Sequence, residues 1–276
     1  MVYSVGILLA TLLVAGLALP TPDTDVSQFY GHSDPTGRIV GGSNAGNVPF
    51  MVALSSGLIS RSFLCGGSLV GRRRVLTAAH CIAAVFSGGS LTNSLRGTVG
   101  TNRWNSGGTS FNFARNITHP NYVAGPIKND IGLLVTSSDV ALSNSVQIVA
   151  LNYDFIGANV GTTVYGWGRI RQGGQSSATL LQLNKNTFDG ARCVTDVARM
   201  AQQLNIRAPA VQPHIEICTF HSANHGTCHG DSGGPLVLRS NGRQIGIVSW
   251  GLPCARGAPD MFVRISAYRS WLQSNL

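Results

Sequence analysis

The sequence predicts an all-β fold, and two observations carry that prediction. From residue 39 onward, short apolar runs alternate with Gly, Ser and Asn turns, a spacing typical of a β-barrel or β-sandwich. Glycine is frequent, at 34 of 276 residues, and charged residues make up only 11%, against about 25% in an average soluble domain. Few charges and many glycines disfavour a helical bundle and favour strands joined by tight turns.

The strand pattern recurs along the whole chain. Six apolar runs carry it, at 50–56, 66–81, 129–136, 161–168, 233–238 and 244–251. Two stretches have a helical pattern instead, 189–203 and the C-terminal 266–275, where Trp271 and Leu272 are the apolar anchors. Apolar runs resume directly after each Gly/Ser stretch, so these stretches are predicted to be loops within one folded unit.

The N-terminus has the pattern of a secretory signal. Residues 5–19 are apolar and uncharged, which is short for a membrane span of about 20 residues and suits a signal peptide. We assign 1–19 as the signal, with a membrane anchor or a buried strand as the alternatives. Residues 20–38 are polar and contain three prolines, so they are expected to precede the fold. The protein is therefore expected to be secreted and extracellular, with no membrane partner.

Secretion determines how the cysteines are interpreted. Six cysteines in an oxidising compartment predict three disulfides, although spacing alone does not select the pairing. No Cys-x-x-Cys spacing occurs and the histidines are not grouped with the cysteines as zinc ligands would be, so no metal site is expected. The six are Cys65, Cys81, Cys193, Cys218, Cys228 and Cys254.

Three separated motifs carry the candidate chemistry. Gly-Asp-Ser-Gly-Gly-Pro at 230–235 places Ser232 on a glycine-rich turn that can present a hydroxyl beside backbone N–H donors, as acyl transfer requires. Thr-Ala-Ala-His-Cys at 77–81 supplies His80 as a base. Asp130 precedes an apolar run, and a buried acid there needs a partner such as a histidine N–H. Each motif alone also fits a structural histidine, a turn cap or an ordinary glycine turn.

Together, and in the order His, Asp, Ser, the motifs resemble those of the chymotrypsin-fold, trypsin-like serine peptidases over residues 39–276. The resemblance implies two six-stranded antiparallel β-barrels packed face to face, with a C-terminal helix. It implies that Ser232 is the nucleophile, that His80 is the general base and acid, and that Asp130 orients the imidazole. The N–H groups of Gly230 and Ser232 would form the oxyanion hole. The protein is thus expected to be a serine endopeptidase that acts on protein or peptide substrates.

The resemblance also implies disulfides and an activation step. The pairings would be Cys65–Cys81, Cys193–Cys218 and Cys228–Cys254, which use every cysteine once. Cleavage after Arg38 by a trypsin-like peptidase would free the Ile39 amine to pair with Asp231, with 20–38 as the activation propeptide of a zymogen. That propeptide contains no cysteine, so it is expected to leave after cleavage.

The primary specificity pocket is expected at Gly226, Ser249, Trp250, Gly251 and Asp260. Trypsin-like members have Asp where this chain has Gly226, so a plain trypsin is disfavoured. Gly226 together with Asp260 resembles the broad-specificity collagenolytic and chymotrypsin-like peptidases of crabs and insects. On that basis Asp260 would accept Arg or Lys obliquely while apolar walls accept Phe, Tyr, Leu or Met; the alternative is that Asp260 only caps a turn.

No cofactor is expected. The stretch 87–108, which aligns with the calcium loop of some relatives, contains no Asp or Glu, and calcium prefers carboxylate oxygens. Asn116 begins an Asn-Ile-Thr sequon and is a candidate glycosylation site. Protein inhibitors are expected as further partners, and the protein is expected to be a monomer.

The positive charge suggests two other functions. The net charge is +9, with 20 basic and 11 acidic side chains; residues 1–38 hold one of the basic and three of the acidic ones, which leaves 19 against 8. A basic protein that binds heparin or nucleic acid is disfavoured because aromatics are 7% and no nucleic-acid motif occurs. A catalytically inactive homologue that binds or regulates partners is the main alternative, but all three motif residues are present.

Overall fold

The computed structural model describes residues 39–171, 173–252 and 254–276. The signal (1–19) and the propeptide (20–38, including Arg38) lie outside the described residues, so both assignments stay predictions. Strands are the main regular structure of the described residues, and they form two seven-stranded antiparallel sheets and one short hairpin. The sequence prediction of an all-β fold is confirmed.

The strands of the first sheet come from the N-terminal half of the chain. Its spatial order is β8-β7-β2-β3-β4-β10-β9. The edge strands β8 and β9 are separated in the chain by Asn112 alone, so the sheet curls until its two edges adjoin. Counting β8 and β9 as one interrupted strand gives the six strands that were predicted. The strands are β2 (Met51–Ser56), β3 (Ser62–Gly71), β4 (Arg74–Thr77), β7 (Arg96–Val99), β8 (Thr109–Phe111), β9 (Phe113–Thr118) and β10 (Gly132–Thr136).

The second sheet forms a closed barrel. Its order is β1-β12-β11-β14-β15-β16-β13, and an additional pairing of β12 with β13 closes six strands into a ring that β1 extends on the outside. The closing contacts are Asn186 opposite Phe220 and Thr187 opposite Thr219. The strands are β1 (Ser43–Asn44), β11 (Gly161–Gly166), β12 (Leu181–Thr187), β13 (Glu216–Phe220), β14 (Pro235–Leu238), β15 (Gln244–Gly251) and β16 (Asp260–Arg264).

The helices are few and lie outside the sheets. They are α1 (Ala79–Ala83), α2 (Gly190–Gln203) and α3 (Arg269–Asn275), and a small hairpin pairs β5 (Phe86–Ser87) with β6 (Ser90–Leu91). Asp189 caps α2 by accepting a hydrogen bond from the Arg192 N–H at 2.8 Å. Both predicted helices are present, the second beginning as a 3₁₀ turn at Ile265–Tyr268. Among the helices in the described ranges, none is both long and apolar enough to cross a membrane.

All three expected disulfides are present. Cys65–Cys81 ties β3 to α1, Cys193–Cys218 ties α2 to β13, and Cys228–Cys254 joins the two loops at the mouth of the second barrel. The first of these bonds fixes the helix that carries His80 to its own sheet. Closing a loop covalently reduces the entropy of the unfolded chain, by typically 2–4 kcal/mol per bond.

A buried ion pair joins the two halves. Lys128, just before β10, donates to Glu216 Oε1 on β13 at 2.6 Å, and their side chains are 9% and 6% exposed. The same oxygen accepts from Trp250 Nε1 at 2.8 Å, and Oε2 accepts from the Gln212 N–H at 2.6 Å. Burial lowers the pKa of Lys128, and the attraction of Glu216 only partly offsets this. The carboxylate therefore balances a cation that is costly to bury.

Replacing Glu216 with Ala is expected to destabilise the protein by about 3–5 kcal/mol, because it leaves Lys128 buried without its counterion. The measurement is urea unfolding in a Ser232→Ala background, which removes the expected nucleophile and hence self-digestion. Arg199→Ala is the matched control, since its pair with Asp196 is 56% and 28% exposed and should contribute at most about 1 kcal/mol. Equal losses in the two variants would contradict the expectation.

Candidate active site

The structure brings His80 and Asp130 into direct contact. His80 lies on α1 and its Nδ1 is 2.8 Å from Asp130 Oδ2, while the His80 backbone N–H donates to Oδ1 at 2.9 Å. Asp130 is 1% exposed and His80 17% exposed at the side chain. Helix α1 can lie this close to β10 because Gly132 has no side chain; a carbon added there would overlap Ile82. The small residue two places after Asp130 thus allows His80 to lie beside it.

Ser249 completes the shell around Asp130. From β15 of the second barrel, its hydroxyl donates to Asp130 Oδ2 at 2.6 Å. The sequence analysis placed Ser249 in the substrate pocket only and missed this contact. The carboxylate therefore accepts hydrogen bonds from both barrels, which places Asp130 at their junction.

The Ser232 turn lies against the first barrel, close to the segment that leads to His80. The Ser232 carbonyl accepts from the Gly66 N–H at 2.8 Å. Gly233 has φ +77°, and a side-chain carbon there would overlap Thr77 and Gly66 and lie 3.2 Å from the Ala78 nitrogen. The two glycines after Ser232 are therefore required by close approach as well as by turn geometry. Ser232 itself is 7% exposed.

The peptide that joins His229 to Gly230 has a fixed orientation. The His229 carbonyl accepts from the Arg169 N–H at 2.7 Å, and Gly230 has φ +93°. Because the carbonyl and N–H of a trans peptide point in opposite directions, this bond directs the Gly230 N–H away from Arg169. Within the described ranges, no hydrogen bond uses the N–H of Gly230 or of Ser232. Both donors are thus available to an anionic oxygen.

Asp231 is buried beside the nucleophile turn. It is 0% exposed, and its oxygens accept from the N–H groups of Gly168 and Cys228, each at 2.9 Å. A side-chain carbon on Gly168 would overlap the carboxylate. Burial raises the pKa of Asp231 to about 7, and the two backbone hydrogen bonds only partly counter this. A cation placed next to this group would be strongly favoured.

The segment that follows the predicted cleavage point is already docked. Ile39 is 0% exposed, and Val40 pairs with Gly226, whose N–H donates to the Val40 carbonyl at 3.0 Å. Ile39 has φ +21°, a conformation that β-branched residues rarely adopt. The chain from Ile39 therefore packs against the loop that precedes Ser232.

The predicted pocket residues surround one carboxylate. Gly251 on β15 pairs with Asp260 on β16. A side-chain carbon on Gly226 would lie 3.1 Å from Asp260 Oδ2 and 3.3 Å from Oδ1, and one on Gly251 would lie 3.6 Å from Oδ1. The two glycines therefore place no side chain against the acid, which is itself 4% exposed. Trp250 is 1% exposed and lies in the adjoining core.

Lys185 is a residue of this region that the sequence analysis missed. It pairs with Asp260 Oδ2, which also accepts from the Thr227 N–H at 2.8 Å. Its signal was present in the sequence: β12 alternates between inward and outward residues, and Lys185 occupies an inward position between Leu183 and Thr187. A lysine at such a position needs a buried partner.

The chain matches a known family over nearly all of the described residues. The Trypsin family matches residues 39–272. The chain belongs to the trypsin family. It is a serine-type endopeptidase with a chymotrypsin-like fold and three disulfides.

The similar proteins include both trypsins and a chymotrypsin. The peptidase is 32% identical over 241 residues to trypsin alpha-4 of Lucilia cuprina. The aligned residues cover 86% of this chain and 87% of the relative. It is 35% identical over 240 residues to chymotrypsin-2 of Vespa crabro, covering 86% and 99%. With trypsin, alkaline B of Manduca sexta it shares 34% over 248 residues, covering 86% and 91%. Overall identity therefore does not separate trypsin from chymotrypsin, and specificity has to be argued from the pocket.

One further predicted site and one apparent metal group can be placed in the peptidase. Asn116 lies in β9 opposite Leu134 and donates from Nδ2 to Thr118 Oγ1 at 3.1 Å; its glycosylation stays a prediction. Cys65, His80 and Cys81 lie close enough together to suggest a metal group, but the two sulfurs are bonded to each other and are not thiolate ligands.

For both His80 and Asp130, burial and the attraction between the two groups shift the pKa in opposite directions. Burial lowers the pKa of His80, but the charge and hydrogen bond of Asp130 outweigh it and the pKa is raised above 6.5. Burial raises the pKa of Asp130, and His80 together with Ser249 more than reverses this, so that the pKa is lowered. Asp130 thus stays ionised while His80 is poised to accept a proton.

The rate of peptide hydrolysis is expected to rise with pH through a midpoint above about 6.5, because only neutral His80 accepts a proton and Asp130 raises its pKa. Asp130→Asn should lower kcat by about 10⁴ and move this midpoint to lower pH, since the stabilising charge is lost. The measurement is the pH dependence of kcat/KM on an activated ester substrate. Ser249→Ala, which keeps the charge, is the control and should shift the midpoint less; identical midpoints in wild type and Asp130→Asn would contradict the assignment.

Proposed function

We propose that the protein is a secreted serine endopeptidase, made as a zymogen, in which His80, Asp130 and Ser232 carry out acyl transfer. The observation that supports this most is the Asp130 carboxylate, buried to 1% exposure, which accepts from His80 Nδ1 at 2.8 Å. With Nδ1 held by the acid, the imidazole is oriented with Nε2 as its proton-accepting atom. The Ser232 turn lies against the segment that carries this base.

The proposed reaction proceeds in two steps. His80 Nε2 takes the proton of the Ser232 hydroxyl as its oxygen attacks the scissile carbonyl, and the resulting oxyanion accepts hydrogen bonds from Gly230 and Ser232. Transfer of the proton to the leaving amine breaks the peptide bond and leaves an acyl ester on Ser232. Water, deprotonated by His80, then hydrolyses the ester and regenerates the enzyme.

Activation would use the buried Asp231 as a receptor for a new cation. Cleavage between Arg38 and Ile39 creates an amine at a segment that is already packed against Gly226. A protonated amine beside Asp231 stabilises the ionised carboxylate, and the amine's own pKa is raised in return. The active form is therefore expected below that raised pKa and is lost at higher pH. Cleavage also removes the backbone bond that holds Ile39 at φ +21°.

The proposed primary specificity is chymotrypsin-like to broad. Gly226 and Gly251 leave room for large side chains, and the only acid among the assigned pocket residues, Asp260, has a buried partner. Collagen cleavage is a further hypothesis that rests only on the resemblance of Gly226 together with Asp260 to the collagenolytic peptidases. Digestion of native triple-helical collagen, compared with heat-denatured collagen, tests it directly.

The function is tested by labelling Ser232 with a fluorophosphonate after limited cleavage by a trypsin-type peptidase. Stoichiometric modification of Ser232, found by peptide mass mapping, is expected in the activated protein and is expected to be lost in Ser232→Ala and strongly slowed in His80→Ala. Absence of labelling in the fully cleaved, folded wild type would favour the catalytically inactive homologue.

Arg38→Gln is expected to leave a zymogen, because a trypsin-type activator requires a basic residue before the scissile bond. The variant should retain the fold and show at most about 1% of wild-type activity after treatment with the activator. N-terminal sequencing of the treated wild type should yield Ile-Val-Gly-Gly. Full activity of the variant without cleavage at this bond would overturn the activation scheme.

A further inference from the structure

The buried pair of Lys185 and Asp260 has no role in the proposed reaction steps. Its side chains are 1% and 5% exposed. Its acid lies against Gly226 and Gly251, the two glycines assigned to the pocket. Lys185 projects from β12, a strand that holds none of the assigned pocket residues, while Asp260 begins β16. The pair therefore brings a positive charge to the pocket from outside its walls.

The chain has very few lysines with which to do this. Lys128 and Lys185 are the only two, against 18 arginines, and both are buried beside an acid. Lys128 balances Glu216 at the junction of the barrels, well within the core. Lys185 balances an acid that instead lies against Gly226 and Gly251, two of the assigned pocket residues. One lysine thus balances a charge in the core, and the other a buried charge beside the assigned pocket.

Two hydrogen bonds fix which part of Asp260 remains turned toward the pocket. Lys185 and the Thr227 N–H both bind Oδ2, so the carboxylate plane is held from that side. Oδ1 is the oxygen nearest to a side-chain carbon built on Gly251. A substrate side chain that enters between Gly226 and Gly251 therefore meets an acid whose charge is already balanced.

We propose that Lys185 is a specificity-determining residue, which neutralises Asp260 and sets the primary pocket to accept large uncharged side chains. A substrate Arg or Lys would have to leave water and enter a site where the attraction of Asp260 is offset by the ammonium of Lys185. Burying a cation without an unbalanced partner is unfavourable. An acidic side chain meets the opposite arrangement and is disfavoured for the same reason. This inference rests on the proposed function and assigns its substrate class.

Each of the two charges would be unbalanced without the other. A Lys185 without Asp260 would place an unbalanced ammonium beside the pocket, and an Asp260 without Lys185 would place an unbalanced carboxylate there. Asp231 lies near enough to feel both charges, since Asp260 raises its pKa and Lys185 lowers it.

The test measures selectivity in four proteins: wild type, Lys185→Met, Asp260→Asn and the double variant. Each is activated and titrated with a fluorophosphonate, then assayed on matched peptides that differ only in Phe, Leu, Arg or Glu before the scissile bond. The readout is the ratio of kcat/KM values within one protein, so loss of overall rate does not enter. Labelling at Ser232 reports the proposed function separately from selectivity.

The two single variants should shift selectivity in opposite directions. Lys185→Met is expected to raise the Arg-to-Phe ratio by about tenfold or more, and Asp260→Asn to raise the Glu-to-Phe ratio and lower the Arg-to-Phe ratio. The double variant should return to the preference for Phe and Leu. Labelled variants whose ratios all stay at wild-type values would overturn the role of Lys185 and leave the peptidase function standing. Absence of labelling in wild type would refute the proposed function instead.

A second measurement needs no variant to fold. Benzamidine, an aromatic cation that binds where a pocket holds an unbalanced carboxylate, should inhibit wild type no better than neutral benzamide. Wild type should also cleave the Phe peptide at least about tenfold more efficiently than the Arg peptide. Strong selective inhibition by benzamidine, or equal cleavage of the Arg and Phe peptides, would overturn the proposal.

Discussion

The candidate site depends on the hydrogen bonds that the buried carboxylate of Asp130 accepts. An ionised acid at 1% exposure is tolerable only when hydrogen bonds replace its hydration. Here the partners come from three places: the backbone and side chain of His80, and the hydroxyl of Ser249. Since His80 belongs to the first barrel and Ser249 to the second, satisfying this charge holds the two barrels in register around the site.

Several other features follow from that constraint. Helix α1 must lie close to β10, which the absence of a side chain at Gly132 permits. The Cys65–Cys81 disulfide then fixes the same helix to β3. On the other side, the turn at Ser232 must come close to Gly66 and Thr77, which only a glycine at 233 allows. The residues near His80, Asp130 and Ser232 are small because the barrels and the turns approach one another there.

The distribution of charge changes the meaning of the chain's basic character. Of the eight acids from residue 39 onward, four are buried: Asp130, Glu216, Asp231 and Asp260. Each lies at the site, at the pocket or at the junction of the barrels, and both lysines pair with one of them. The excess of positive charge is therefore carried by arginines, while half of the acids from residue 39 onward are internal.

Much of the fold and of the site could be predicted from the sequence. The motifs around His80, Asp130 and Ser232 are local, and each is short enough to read directly, as are the alternating strands and the helix at 189–203. The six-stranded count was right only when β8 and β9 are taken as one strand interrupted at Asn112. The contacts of Ser249 with Asp130 and of Lys185 with Asp260 span 119 and 75 residues. The first depends on how the two barrels pack together, and the second on how the second barrel closes. Inward placement of Lys185 could be read from β12, but its partner could not.

The most direct test of the central claim is a proton NMR measurement of the hydrogen between His80 Nδ1 and Asp130. The protein contains seven histidines, so selective ¹⁵N-histidine labelling and a His80→Ala reference assign the signal. A strongly deshielded Nδ1 proton is expected, which titrates with a pKa above about 6.5, persists in Ser232→Ala and vanishes in Asp130→Ala. A histidine spectrum that is the same with and without the Asp130 carboxylate would contradict the account.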